Sequence, residues 1–173
     1  MRRLLILFAV VATAAMTVTA AATAASPHFK NGGSPVCTIS GGQATCSGAL
    51  AGLGNQDVTI QLNVQGVATF NCVSPGGNAA PGQNKVPFQG TTTQVIPSNQ
   101  IKNGNLNFST TSPSSQPTAT AEQAGCPNPN WTTTLASATV TSITLTISQG
   151  GQTLFTCSAS GSFSEGQTVP LAC

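Results

Sequence analysis

Val58-Thr59-Ile60-Gln61-Leu62-Asn63-Val64 alternates aliphatic and polar residues without a break. Successive side chains of an extended chain point to opposite faces, so the four aliphatics share one face of a strand, and that face belongs to a core. A second stretch carries the same signal. Val140, Ile143, Leu145 and Ile147, with Thr144 and Thr146 between the last three, run into Gln149-Gly150-Gly151-Gln152 and on to Leu154-Phe155. Gly-Gly between two apolar runs predicts a two-residue hairpin, because tight primed turns need positive φ, which glycine adopts at little cost. Gly41-Gly42 has the same meaning. Weaker strand signals lie at residues 67–73, 91–96, 105–110, 118–122, 132–135 and 160–163. Gly66 marks either a turn between two strands or a bulge within one long strand over residues 58–72. Residues 74–87 and 112–117 are rich in Pro, Gly, Asn or Ser, which marks them as connections. No stretch after residue 25 has a helical period. The pattern predicts an all-β chain: an antiparallel two-sheet sandwich, immunoglobulin-like in general build and disulfide-stapled, with a barrel as the alternative.

The first 25 residues are read separately. Arg2-Arg3 make a positive n-region, residues 4–15 an apolar h-region, and the small residues 20–25 a cleavage zone, which together predict a secretory signal peptide over 1–25 and a single β-sandwich domain over 26–173. Nothing downstream is apolar for long enough to cross a bilayer. The expected location is secreted or extracellular, with association to the cell wall as the narrower form.

An oxidising compartment makes the six cysteines a disulfide framework. Cys37 and Cys46 flank Gly41-Gly42 symmetrically. With a two-residue turn, Ser40 faces Gln43, Ile39 faces Ala44, Thr38 faces Thr45 and Cys37 faces Cys46. Alternate pairs are hydrogen-bonded, so the cysteines fall at a non-hydrogen-bonded position, where Cα atoms approach to about 4.5 Å, within disulfide range. For Cys72, Cys126, Cys157 and Cys173 the spacing leaves the pairing open; Cys72 with Cys126 and Cys157 with Cys173 is the expected arrangement, the second pair tying down a tail that otherwise frays. Metal ligation needs paired short Cys spacings and histidine partners, and His28 is the only histidine. No metal and no cofactor is expected.

Beyond residue 25 the charges are Lys30, Lys85 and Lys102 against Asp57, Glu122 and Glu165, which balance. No basic stripe exists to neutralise phosphates, so nucleic acid is not an expected partner. Solubility there falls to the 21 Thr and 17 Ser of residues 26–173, with many Asn and Gln. The residue types of catalysis are scarce: a pair of carboxylates would have to come from Asp57, Glu122 and Glu165, and neither a nucleophile elbow nor a phosphate loop is present. No catalytic residue is expected. Trp131, after the turn-rich Pro127-Asn128-Pro129-Asn130, has two readings. An exposed ring there would stack on a sugar or seat a partner, whereas the sole tryptophan of a small sandwich more often fills its core. In the first case Asn78, Asn84 and Lys85, on the loop over residues 76–85, are its candidate companions.

Several short segments in order along the chain carry a resemblance: His28-Phe29, Ala51-Gly52-Leu53-Gly54-Asn55, Ala68 through Phe70 to Cys72, Gly76-Gly77-Asn78, Asn84-Lys85, Gly125-Cys126-Pro127 and Gly161-Ser162-Phe163-Ser164. Together they resemble a group of uncharacterised small secreted proteins of actinobacteria and related Gram-positive bacteria. In that group a cysteine before the Gly-Gly-Asn loop and one before proline are the usual pair, which supports joining Cys72 to Cys126. The resemblance implies a secreted β-sandwich and no catalytic residue. Two functions remain: a non-catalytic structural or interaction protein of the extracellular space or cell envelope, able to self-associate, or a recognition module that binds carbohydrate or acts as an inhibitor through Trp131 and neighbouring loops. The corresponding partners are cell-wall glycan or an extracellular protein.

Overall fold

The computed structural model describes residues 26–113 and 115–173; the predicted signal peptide lies outside them. Ten strands form two antiparallel sheets. In chain order they are β1 (His28–Phe29), β2 (Val36–Ser40), β3 (Gln43–Ala51), β4 (Val58–Val73), β5 (Ala79–Pro81), β6 (Val86–Ile96), β7 (Leu106–Ser112), β8 (Thr132–Gln149), β9 (Gln152–Phe163) and β10 (Thr168–Pro170), with one short helix, α1 (Ala121–Ala124), between β7 and β8.

The smaller sheet is built on the hairpin at Gly41-Gly42, both at positive φ (56° and 80°). β2 pairs with β3 so that Cys37 stands opposite Cys46; β10 adds to β2, and β7 and β1 add to β3. The longer sheet has β4 and β8 at its centre, paired from Val58↔Gln149 to Val73↔Thr132. β6 and then β5 line the far side of β4, and β9 lines the far side of β8 after the turn at Gly150-Gly151. Gly66 is neither a turn nor a bulge within β4: β4 runs straight through it, and the shifts in the β4–β8 register between Gln65 and Gly66 and again between Thr69 and Phe70 put the extra residues, Thr141 and Ala136, on β8 opposite. Gly66 has to be glycine because a Cβ there would lie 2.3 Å from the Thr139 carbonyl oxygen and 2.5 Å from the Phe88 ring.

The two sheets bury Val58, Ile60, Leu62, Val64, Ile143, Leu145 and Ile147 of the long sheet against Ile39, Leu50, Leu106, Phe108 and Val169 of the short one. The expected two-sheet sandwich is thus the observed architecture. It comes near to barrel closure on one side only, where Ser158 of β9 bridges Ala172 beyond β10; on the other side β6 and β7 share no ladder. The disulfides join Cys37 to Cys46, Cys72 to Cys126 and Cys157 to Cys173.

The short sheet covers only half of the long one. Over the far half of β4 and β8, residues 115–131 cross the inner face, and Ala68, Phe70 and Ala124 form a second, smaller core with Val86, Ala119, Cys126, Leu135 and Ala138. Part of this crossing segment departs from expectation. Residues 118–122 are not a strand: Thr120 is an N-cap whose hydroxyl accepts the Gln123 N–H at 3.2 Å, while Gln123 Oε1 accepts the Thr120 N–H at 2.8 Å. This reciprocal capping box opens α1, and Gly125, at φ 70°, closes it. The stretch 74–87, read as a connection, also contains β5, which depends on the tertiary pairing of Ala79–Pro81 with Asn71, Cys72 and Val73.

Candidate functional site

Of the residues singled out from sequence, Asn84 and Lys85 line a shallow depression of about 450 Å³ with Gln83, Val86, Pro87 and Gln123. Asn84 serves the fold there. Its N–H donates to the Ala124 carbonyl at 3.0 Å and its Nδ2 to the Gln123 carbonyl at 3.2 Å, fastening the β5–β6 connection to α1. Lys85 is exposed beside it. Asn78 sits in the β4–β5 turn, its N–H donating to Ser74 Oγ at 3.0 Å, with its own side chain exposed.

Trp131 does not fill the space between the sheets. It is half-buried and belongs to neither core, because it precedes Thr132, the residue opposite Val73 at the last pair of the β4–β8 ladder, where the short sheet no longer faces the long one. Its N–H donates to the Asn128 carbonyl at 3.1 Å, and the Asn130 N–H donates to Asn128 Oδ1 at 2.9 Å, so the turn before it is fixed by Asn128. Trp131 and Asn78 share this end of the long sheet, whereas the depression at Asn84 and Lys85 does not include Trp131.

Two of the three acidic side chains are tied to the chain's own backbone, and the third, Glu122, is exposed in the first turn of α1. Asp57 Oδ1 accepts the Ser98 N–H at 2.8 Å. Glu165 accepts the Ser40 hydroxyl at 3.0 Å and the Gly41 N–H, bracing the first hairpin turn. His28, exposed on β1, has Nδ1 2.8 Å from the Ser26 carbonyl. Among the described residues no three His, Cys, Asp or Glu side chains gather into a metal-binding group, and no cysteine is free.

A broad polar feature that the sequence motifs did not isolate is the outer face of the long sheet. Inward positions of β4 are Val58, Ile60, Leu62 and Val64, so Thr59, Gln61, Asn63 and Gln65 point outward. The ladders place Thr93, Thr91 and Gln89 of β6 beside Gln61, Asn63 and Gln65. On the other side stand Ser148, Thr146, Thr144 and Ser142 of β8, followed by Thr153, Thr156, Ser158 and Ser160 of β9. Hydroxyls and carboxamides thus recur at about 4.8 Å between strands and about 6.8 Å along them. The face holds no charged or aromatic side chain. Asn63 Nδ2 donates to Thr91 Oγ1 at 2.7 Å, which orients two of its members. The signal in the sequence is the Thr/Ser/Gln/Asn half of each alternating run; only the register assembles the four halves into one surface.

No helix among the described residues is long and apolar enough to cross a membrane. Three disulfides are compatible with an extracellular protein. No protein-family model matches the chain, and no curated protein matches it.

Proposed function

We propose that this is a non-catalytic, secreted interaction protein of the cell envelope that adheres to neutral cell-wall glycan through the outer face of its long sheet. A place among the small secreted actinobacterial proteins it resembles is part of the same proposal. The observation that carries the reading is the uncharged lattice of hydroxyls and carboxamides over β6, β4, β8 and β9. One hydrogen bond exchanged with water contributes only about 1 kcal/mol net, so such a face gains affinity from many repeated contacts with a repeating partner. A polyhydroxylated polymer offers donors and acceptors at regular intervals and needs no countercharge. The employment of Asp57 and Glu165 as backbone acceptors supports leaving catalysis out of the reading.

The test is retention of the oxidised protein on insoluble cell walls at low and at high salt. Binding without charge is insensitive to screening, so equal retention is expected, and it is lost in a Thr144→Lys/Thr146→Lys variant that remains folded. Full recovery in the soluble fraction, or elution by salt alone, overturns the proposal.

The half-buried position of Trp131 outside both cores favours a second reading, in which its ring stacks on a sugar beside the Asn78 turn. That reading expects a glycan-dependent change in tryptophan fluorescence and weaker binding by Trp131→Ala. Unaltered binding by that variant removes it and leaves the sheet face as the site.

A further inference from the structure

The two edges of the long sheet are treated differently. On β9 the outer edge is occupied at Ser158, whose N–H donates to the Ala172 carbonyl at 2.8 Å and whose carbonyl accepts the Ala172 N–H at 3.0 Å. The Cys157–Cys173 disulfide holds the chain end in that position. On β6 nothing comparable is present. The strand pairs with β4 from Val86 to Ile96, and among the described residues its other edge makes no backbone hydrogen bond. In an antiparallel ladder alternate residues turn both backbone groups away from the partner, so about half of these N–H and C=O groups are left to solvent.

Natural edges are guarded by charge, proline or bulges. From Phe88 to Ile96 there is no charged residue and no proline, and the β4–β6 register is unbroken. Only Pro87, near the start, interrupts the strand's donors. The segment contains Thr91-Thr92-Thr93, of high β-propensity, and Val95, the one large hydrophobic side chain that is exposed among the described residues, at 58 %.

We propose that β6 is a pairing edge for a second copy of this chain, with the two β6 strands running antiparallel about a two-fold axis. A two-fold pairing makes each unpaired N–H of one strand available to a carbonyl of the identical strand, so the interface closes on itself. Lacking charge, the two strands meet no opposition. With the axis at Thr92, Thr91 of one copy faces Thr93 of the other and Gln89 faces Val95, which brings Val95 out of water. The two outer faces then continue as one uncharged surface of doubled width. Foreign peptide strands would find the same backbone groups, yet only the second copy supplies this symmetric, fully uncharged match along the whole segment.

Sedimentation of the oxidised protein from micromolar to millimolar concentration tests this. A concentration-dependent dimer is expected. Thr91→Lys with Thr93→Lys, both at exposed positions, sets two pairs of like charges across the axis and weakens the dimer about tenfold; Thr156→Lys on β9 leaves it unchanged. Hydrogen exchange of the unaltered protein provides a readout independent of the variants: amides alternating along residues 86–96 gain protection as the dimer forms. A monomer at every concentration overturns the inference, as does a dimer that the β6 variant leaves intact or that protects other amides. Wall binding by a strict monomer would sink this inference and leave the adhesion reading standing.

Discussion

Between Val58 and Val64 the inner face of β4 lies under a second sheet; between Ala68 and Cys72 the same strand, with the same alternation, lies under a single crossing segment. The first half buries a continuous layer of aliphatics from both sheets. The second buries Ala68, Phe70 and Ala124, and adds the Cys72–Cys126 bond and a capped turn of helix. A strand pairing is stable only when its apolar face is covered. Where a facing sheet supplies the cover, a continuous aliphatic layer is buried, and the Cys37–Cys46 and Cys157–Cys173 bonds staple neighbouring strands and the chain end around it; where a loop must supply it, the buried area is small, and the Cys72–Cys126 bond ties the cover itself to β4. The Asn84 contacts to Gln123 and Ala124 belong to this second scheme, which is why that asparagine is held and not offered.

The contrast is sharpest if each half is weakened in turn. Leu145→Ala, at a side chain with no exposed surface in the sandwich half, is expected to cost about 4 kcal/mol in denaturant unfolding, the transfer term plus an unfilled cavity. Both halves should lose exchange protection together, since the far half has no core large enough to persist alone. A cost under about 1 kcal/mol would show that the sheets are not packed as described. Cys72→Ala with Cys126→Ala removes the tie across 54 residues and is expected to cost about 4 kcal/mol. Here the loss should be regional: amides over residues 66–73 and 132–139 exchange faster while those over 58–64 and 143–149 stay protected. Uniform loss would mean that the halves are one cooperative unit.

The same division separates what was legible in the sequence from what was not. The sandwich half announced itself because both faces of its strands are well populated: Val58 to Val64 and Ile143 to Ile147 alternate cleanly, and Gly41-Gly42 and Gly150-Gly151 mark their turns. Cys37 opposite Cys46 followed from counting outward from the turn. The far half was harder because its cover is not periodic. Thr120-Ala121-Glu122-Gln123 followed by Gly125 does hold a capping-box signature and a helix stop, but one helical turn has no apolar repeat, so the pattern of residues 118–122 predicts a strand instead. For Trp131 the sequence leaves both an exposed and a core position open, because the choice depends on where the facing sheet ends. The outer face is a matter of register: Thr144, Asn63 and Thr91 become neighbours only when three strands are aligned.

At the junction of the halves, Gly66 faces Phe88, whose ring packs against both cores. Gly66→Ala places a methyl group 2.3 Å from the Thr139 oxygen, and because that atom is backbone within the ladder it has little room to retreat. The β8 bulge opposite must open or the Phe88 ring must leave. We expect about 2 kcal/mol of destabilisation by denaturant unfolding, as for other overpacked sites. No change would show that the halves hinge freely at the bulge.

The smallest effect belongs to the cap of α1. Thr120→Ala removes the acceptor of the Gln123 N–H and leaves one helix-end donor unsatisfied, a loss of about 1 kcal/mol. Because Cys126 and the Asn84 contacts hold the helix from its other end, the turn should remain in place while its first amides exchange faster. In the Cys72→Ala/Cys126→Ala background the same substitution should cost more, since the cap and the disulfide then hold one element in succession. Additive costs would show that they act independently. A larger cost in that alanine background would identify the capped turn and the disulfide as two parts of a single cover over Phe70.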